Sequence, residues 1–424
     1  MPYEKLFEPI KIGSTELKNR YVMAPCNFLF PDWTGLITET DIAYYVARAK
    51  GGAGLCIVGA ILCTDIGKPV ANIPWPYMTS IEHVPGLTML AESIRVAGAK
   101  AIAQILPASG SRGNPMRDDV QPFAPSEDID YVFGTDQSHG QAETILKQRI
   151  KGKWLTQKYM THPKPRAITV AEMHQLIEES AKNAKLAVLS GFDGVELHLC
   201  HHYILDQFRD PRFNKRTDQY GPQSWESRHR FILEYAEAVI KSLREEREDF
   251  TIGVRVGSEC GGTGGYTIDD TRKLAEKLQE LGIDYWSTTA GFPPIPGCRM
   301  DDKQDGGFLQ WSRKLRDAVK VPILTASVHS PDLAEEALKE GITDMIGLGR
   351  PLVADPDLPN KVKENRVADI NKCKKDNLCW VGFDLCLPGR CSQNPELGRE
   401  KYNPKYLLTE GFKGMAMLPY VCRR

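Results

Sequence analysis

The sequence predicts an α/β protein of the (β/α)8 barrel class with a cysteine-rich C-terminal extension. Eight short apolar runs between residues 20 and 350 alternate with longer stretches whose apolar residues recur every three or four positions. Polar groups repeat at the C-terminal ends of those runs, where the loops of a parallel barrel converge. No early glycine-rich GxGxxG loop supports the rival reading, a doubly wound sheet.

In chain order the strands are YVMAP (21–25), GLCIVGA (54–60), AIAQIL (101–106), GVELHL (194–199), TIGVRV (251–256), DYWSTT (284–289), PILTAS (322–327) and DMIGLG (344–349). Between them TETDIAYYVARAK, VAEMHQLIEESAKNAKLAVL, IDDTRKLAEKLQEL and PDLAEEALKE read as amphipathic helices. Thr169 and Ser330 stand at capping positions, and Gly191, Gly282 and Gly341 are stop signals. The rhythm assigns residues 1–365 to the barrel and 366–424 to the extension. It breaks at about 122–168, an excursion that is either a lid over the rim or a surface loop. Trp75 and Tyr77 either line a pocket or cover a helix end.

A formal net charge of -1 across 424 residues leaves no basic surplus for a phosphate backbone, so nucleic acid is excluded as a partner class. The first twenty residues lack the apolar segment of a secretory signal, and no run reaches the roughly 20 apolar residues of a membrane helix. A cytoplasmic location without membrane insertion is expected. Of eleven cysteines, Cys373, Cys379, Cys386 and Cys391 lie within nineteen residues. Soft thiolates so bunched suit an iron-sulfur cluster or zinc, or stay free.

The stretch GFDGVELHLCHHYILDQF, Gly191 to Phe208, places His198, His201, His202 and Tyr203 where a buried strand ends. Gln104, Arg255 and Arg350 sit at other strand ends, an arrangement suited to a ligand with several acceptors. Two imidazoles three residues apart can point into one cavity. A metal there is disfavoured, because the neighbourhood offers no convincing third ligand.

Together with NRYVMAP (19–25), YYVARAKGGAGL (44–55), QIL (104–106), RVGSE (255–259), GLGRPLVADPDLPNK (347–361) and CSQNPELGREKY (391–402), the segment from Gly191 to Gly221 resembles the old yellow enzyme family of flavin-dependent ene reductases. It is most similar to the branch of 2,4-dienoyl-CoA reductase and trimethylamine dehydrogenase. The resemblance implies FMN at the barrel mouth, with Pro25 and Cys26 approaching the flavin ring and Gln104 on its pyrimidine edge. Arg255 would lie by its N1 and C2 carbonyl, and Ala326, Ser327, Gly349 and Arg350 would hold the phosphate. It implies that His198 and His201 bind a substrate carbonyl and that Tyr203 protonates the α-carbon of an activated alkene, an enone or enoyl-CoA.

The chain departs from the family pattern in places. Pro107 replaces a histidine, Arg112 is displaced, Ala326 and Ser327 replace a glycine pair, and His202 replaces a glycine, either as a second acid or as an outward-facing ring. In the branch a CxxCxxxC run and a later cysteine hold a [4Fe-4S] cluster. Here Cys379 and Cys391 fit two positions, Lys372 and Lys375 fall on the others, and Cys373 and Cys386 supply a rearranged set. With a cluster, an electron-transfer flavoprotein or ferredoxin is the expected partner; without one, NAD(P)H reduces FMN directly. The rival readings are an amine or other substrate dehydrogenase passing electrons through the cluster, and a zinc-held interaction scaffold. A small-molecule substrate and a homo-oligomer are expected.

Overall fold

The computed structural model describes residues 2–28, 30–71, 73–111, 120–127, 164–261, 263–291, 305–379 and 387–408. All eight expected runs form strands: β1 (Tyr21–Met23), β2 (Leu55–Leu62), β3 (Lys100–Leu106), β4 (Gly194–Leu199), β5 (Thr251–Gly257), β6 (Tyr285–Thr289), β7 (Ile323–Ala326) and β8 (Met345–Leu348). They close a parallel barrel in sequential order, β8 pairing with β1 through Ile346 opposite Tyr21. Helices cover the outer face, so nearly every strand residue is buried, which is why the runs read as continuous rather than alternating.

Helices α1 (Glu39–Lys50), α2 (Val84–Val96), α3 (Val170–Leu189), α4 (Trp225–Glu246), α5 (Ile268–Glu280), α6 (Leu309–Leu315) and α7 (Pro331–Lys339) follow β1 to β7 in turn. Thr169 caps α3 as expected, in a reciprocal capping box with Glu172. Ser330 occupies the α7 N-cap position without a side-chain cap bond; instead Asp305 accepts the backbone N–H groups of His329 and Ser330. Gly191, Gly282 and Gly341 end α3, α5 and α7 at φ of 78°, 92° and 69°, a region that favours glycine.

The two ends of the barrel differ chemically. At the N-terminal end the hairpin Ile10–Ile12/Thr15–Leu17 plugs the bottom, with Ile12 and Leu17 packed on Val22, Leu55, Ile57, Ile102 and Leu324. Polar side chains collect toward the opposite end, which places any reactive chemistry there. The excursion between β3 and α3 is clamped where it leaves and returns, Phe123 pairing with Arg166 and Ala124 with Ala167. Its interior, 128–163, lies outside the described residues, as do Arg112 and Cys386.

Beyond residue 365 the described chain forms single 3-10 turns at Val367–Asp369, Glu400–Tyr402 and Pro404–Tyr406 and lies against the barrel. Arg48 of α1 and Glu400, both fully buried, form an ion pair at 2.5 Å. Asn394 donates to Val353 O, and Gly389 N–H to Phe28 O. Among the described residues, no helix is long and apolar enough to cross a membrane.

Candidate active site

The barrel interior holds a buried polar set that begins with strand register. Gln104 on β3 pairs with Glu196 on β4, which pairs with Gly253 on β5, which pairs with Tyr285 on β6. Glu196 is fully buried; it accepts from Gln104 Nε2 at 2.7 Å and from Tyr285 Oη at 2.9 Å. Burial raises its carboxyl above the ordinary range, and the nearby Arg255 guanidinium opposes that shift. Gln104 was expected in the site from sequence. Glu196 and Tyr285 were not, since one carboxylate inside VELHL carries no sign of what it faces across the barrel.

One layer nearer the mouth, His198 on β4 stands in register with Arg255 on β5. Arg255 is 7% exposed, and its Nε and Nη1 atoms have no hydrogen-bond partner among the described residues. A buried guanidinium with two unanswered donors is costly unless a ligand supplies acceptors. It lies close enough to Cys26 to pull that thiol's pKa down, against the burial that pushes it up to about 11. Gly349 opens toward the same place, where an added Cβ would lie 3.2 Å from Cys26 Sγ.

The segment after β4 carries the titratable cluster. His198 Nε2 and His201 Nδ1 are 3.1 Å apart, and His201 Nε2 lies 3.1 Å from Thr289 Oγ1 at the end of β6. The Tyr203 ring meets His198 edge-on at 5.1 Å and Trp75 at 5.9 Å. Trp75 and Tyr77 thus belong to the apolar cluster around Tyr203, with Ala60, Leu62, Ile73 and Leu106. His201 and His202 both adopt φ of 58°. Two successive left-handed non-glycine residues are strained by roughly 1–2 kcal/mol each, and such strain persists where surrounding contacts hold it. This turn brings His201 back against His198.

Two expectations are corrected here. His202 does not face outward: it is fully buried with its ring 4.0 Å from that of Phe213, and its backbone N–H is held by Asp206. The histidine pair does have a third ligand-type neighbour, because Cys200 Sγ lies 3.8 Å from His198 Nε2.

At the far side of the mouth, Ser327 follows β7 with φ of 68°, a conformation that suits the glycine it replaces in the family pattern, and Gly349 leads into the short helix Arg350–Ala354. Arg350 Nη1 donates to Asn377 at 2.7 Å. His329, just beyond Ser327, is held down to about 4 by burial, with Asp305 opposing and Lys375 and Arg350 adding to the depression. Arg350 and Lys375, beside a neutral His329, therefore share one basic corner suited to an anion.

Of the four clustered cysteines, Cys373, Cys379 and Cys391 are described. Cys379 is buried and its thiol pushed up to about 12 by burial, with Arg350, Cys373, Cys26 and Cys391 as charged or thiol neighbours. Cys373 Sγ accepts the backbone N–H of Lys375, and Cys391 Sγ that of Gln393, each at 3.4 Å.

Residues 5–369 match the family described as NADH:flavin oxidoreductase / NADH oxidase. A NADH oxidase from Thermoanaerobacter brockii is 31% identical over 94% of this chain and 57% of its own length. A cinnamate reductase from Clostridium sporogenes is 29% identical over 94% of this chain and 59% of its own. Among solved structures, a 2-naphthoyl-CoA reductase in complex with 2-naphthoyl-CoA superposes with a TM-score of 0.82 at 28% identity, covering 95% of this chain and 58% of that one. The chain thus spans little more than half the length of these relatives.

Proposed function

The chain belongs to the NADH:flavin oxidoreductase / NADH oxidase family, one of flavin-dependent oxidoreductases, and from that premise we propose that it binds FMN at the barrel mouth and reduces an activated carbon-carbon double bond. The observation that carries the reading is the buried Arg255, with two donors unanswered among the described residues, one strand from the His198–His201 pair. Pro25, Cys26, Gln104 and Arg255 would hold the ring, and Ala326, Ser327, Gly349 and Arg350 the phosphate, in the corner where Arg350 and Lys375 concentrate positive charge. When bound, FMN supplies hydride chemistry, with NAD(P)H as the source of electrons.

The protein's own groups do the rest. His198 and His201 donate to the oxygen of a carbonyl or carboxylate conjugated to the double bond and stabilise the charge that grows there during reduction. Thr289 fixes the His201 ring by its other nitrogen. Tyr203, held between His198 and Trp75, delivers a proton to the carbon α to that carbonyl. Trp75, Ile73 and Leu106 limit water around the phenol. The relatives named for cinnamate and 2-naphthoyl-CoA reduction point to a conjugated, aromatic-sized acid or thioester as the substrate class. Tyr203→Phe should slow alkene reduction at least tenfold while leaving the NAD(P)H half-reaction within about twofold of wild type; equal slowing of both half-reactions refutes the proton-donor role.

Cys373, Cys379 and Cys391, with Cys386 added from the sequence, would hold a [4Fe-4S] cluster. The N–H···S bonds at Cys373 and Cys391 suit thiolates that carry ligand charge. Such a cluster implies a flavoprotein or ferredoxin partner, in a homo-oligomer. It also sustains the reverse reading, oxidation of an amine, favoured by the 26% identity and TM-score of 0.75 to a histamine dehydrogenase structure from Rhizobium sp. 4-9. Family membership weighs against the zinc-held scaffold. Four iron and four sulfide per chain after anaerobic purification support the cluster; none after reconstitution removes it.

A further inference from the structure

We propose that His198, Cys200 and His201 form a binding site for a thiophilic divalent cation, zinc first among them, at the mouth of the barrel. Their ligand atoms all lie within 4.8 Å of one another. The His198 Nε2 to His201 Nδ1 separation is 3.1 Å and the Cys200 Sγ to His198 Nε2 separation 3.8 Å. Zinc bonds of about 2.05 Å to nitrogen and about 2.3 Å to sulfur, at tetrahedral angles, require edges of roughly 3.3 Å and roughly 3.6 Å. The two observed edges differ from those by a few tenths of an ångström, within the reach of side-chain rotation.

The surroundings supply what a ligating histidine needs. The Thr289 hydroxyl stands 3.1 Å from His201 Nε2; in the metal-bound tautomer it accepts that N–H so that Nδ1 ligates, whereas in the proposed reaction it donates to Nε2 and Nδ1–H meets the substrate oxygen. The strained turn at His201 and His202 holds that ring against His198 without metal. Cys200 and His198 are buried while His201 is only half-buried, which leaves the His201 side as the one from which a fourth, non-protein ligand would approach. Burial holds the Cys200 thiol well above its ordinary pKa, with Arg255 and Arg209 opposing that shift and Asp206 and Glu196 adding to it, so the cation itself must displace the thiol proton. On binding, the thiol proton leaves to solvent and His198 carries its proton on Nδ1.

A cation seated here occupies the two imidazole nitrogens that the proposed reaction offers to a substrate oxygen, so metal and substrate exclude each other. That consequence rests on the proposed function; the site does not, and zinc is counted without turnover. The test uses the full FMN-loaded chain, stripped with a chelator and dialysed against buffered zinc, with metal per chain measured beside zinc-edge X-ray absorption. One zinc with two nitrogen and one sulfur protein ligands is expected. Its affinity should fall more than about a hundredfold in Cys200→Ala and roughly tenfold in Thr289→Val. The same zinc should persist in a Cys379→Ser/Cys391→Ser chain, which separates it from the C-terminal thiols. If Cys200→Ala loses its flavin or fold, Thr289→Val carries the comparison. Zinc uptake that is unchanged in both variants, or that disappears with Cys379 and Cys391, overturns the proposal.

Discussion

Replacing Glu400 should weaken the whole molecule, because its partner Arg48 is left charged in a place water does not reach. Both side chains are fully buried and meet at 2.5 Å. Removing one member of a buried pair costs about 3–5 kcal/mol, since the other charge stays desolvated. Arg48 keeps two carbonyl acceptors, Tyr44 O and Leu352 O, and the Tyr44 ring beneath its guanidinium, which puts Glu400→Gln near the lower end, about 3 kcal/mol. Glu400→Ala also loses the acceptor of the Gly398 N–H at 2.8 Å, a further ~1 kcal/mol. Urea unfolding followed by circular dichroism should therefore show about a hundredfold change in the unfolding equilibrium for the glutamine variant and about a thousandfold for the alanine variant. An Arg48→Met/Glu400→Leu chain should recover most of the loss, as apolar replacement of a buried pair commonly does. A glutamine variant within about 1 kcal/mol of wild type refutes the reasoning, and with it the view that this pair fastens the cysteine-bearing segment to α1.

Arg255→Met should weaken FMN binding at least tenfold, read by flavin fluorescence on titration, because the acceptors of FMN lose their buried charged donor; unchanged affinity means the guanidinium serves the barrel alone. Glu172, hydrogen-bonded to Arg166 and to the α3 cap, is held down to about 2. Its folded pKa is depressed, so its contribution is present above the unfolded value of about 4.3 and is lost as pH falls from there through about 2. Glu172→Gln should cost about 1 kcal/mol at neutral pH after solvent screening, and the gap to wild type should close as the pH falls through that window; a gap constant from pH 7 to 2 shows that the charge is irrelevant.

The strands were legible because a parallel barrel covered on both faces needs unbroken apolar runs, and several of those runs end at a polar rim residue. Gln104, His198, Arg255 and Arg350 stood out for that reason. Partners across the barrel were not legible. Glu196 meets Tyr285 and His201 meets Thr289 only once closure sets strands from distant parts of the chain in register. The burial of His202 depends on Phe213, which returns to it through a turn, and no spacing in the sequence announces that contact. Cys200 had the opposite problem. Lying between two histidines in sequence, it was not counted among the possible ligands, yet it follows His198 by two residues at the strand end, which sets its sulfur on the same side as that ring.

The central claim is most directly tested by reducing the FMN-loaded chain photochemically without oxygen and mixing it with one equivalent of a cinnamate-type acid or its thioester, following flavin absorbance and product together. The account predicts stoichiometric reoxidation with the saturated product, slowed at least tenfold when His198 and His201 are both replaced by alanine. Reduced protein that ignores every activated alkene, while the oxidised form is bleached by an amine, would contradict it and establish the reverse reaction instead.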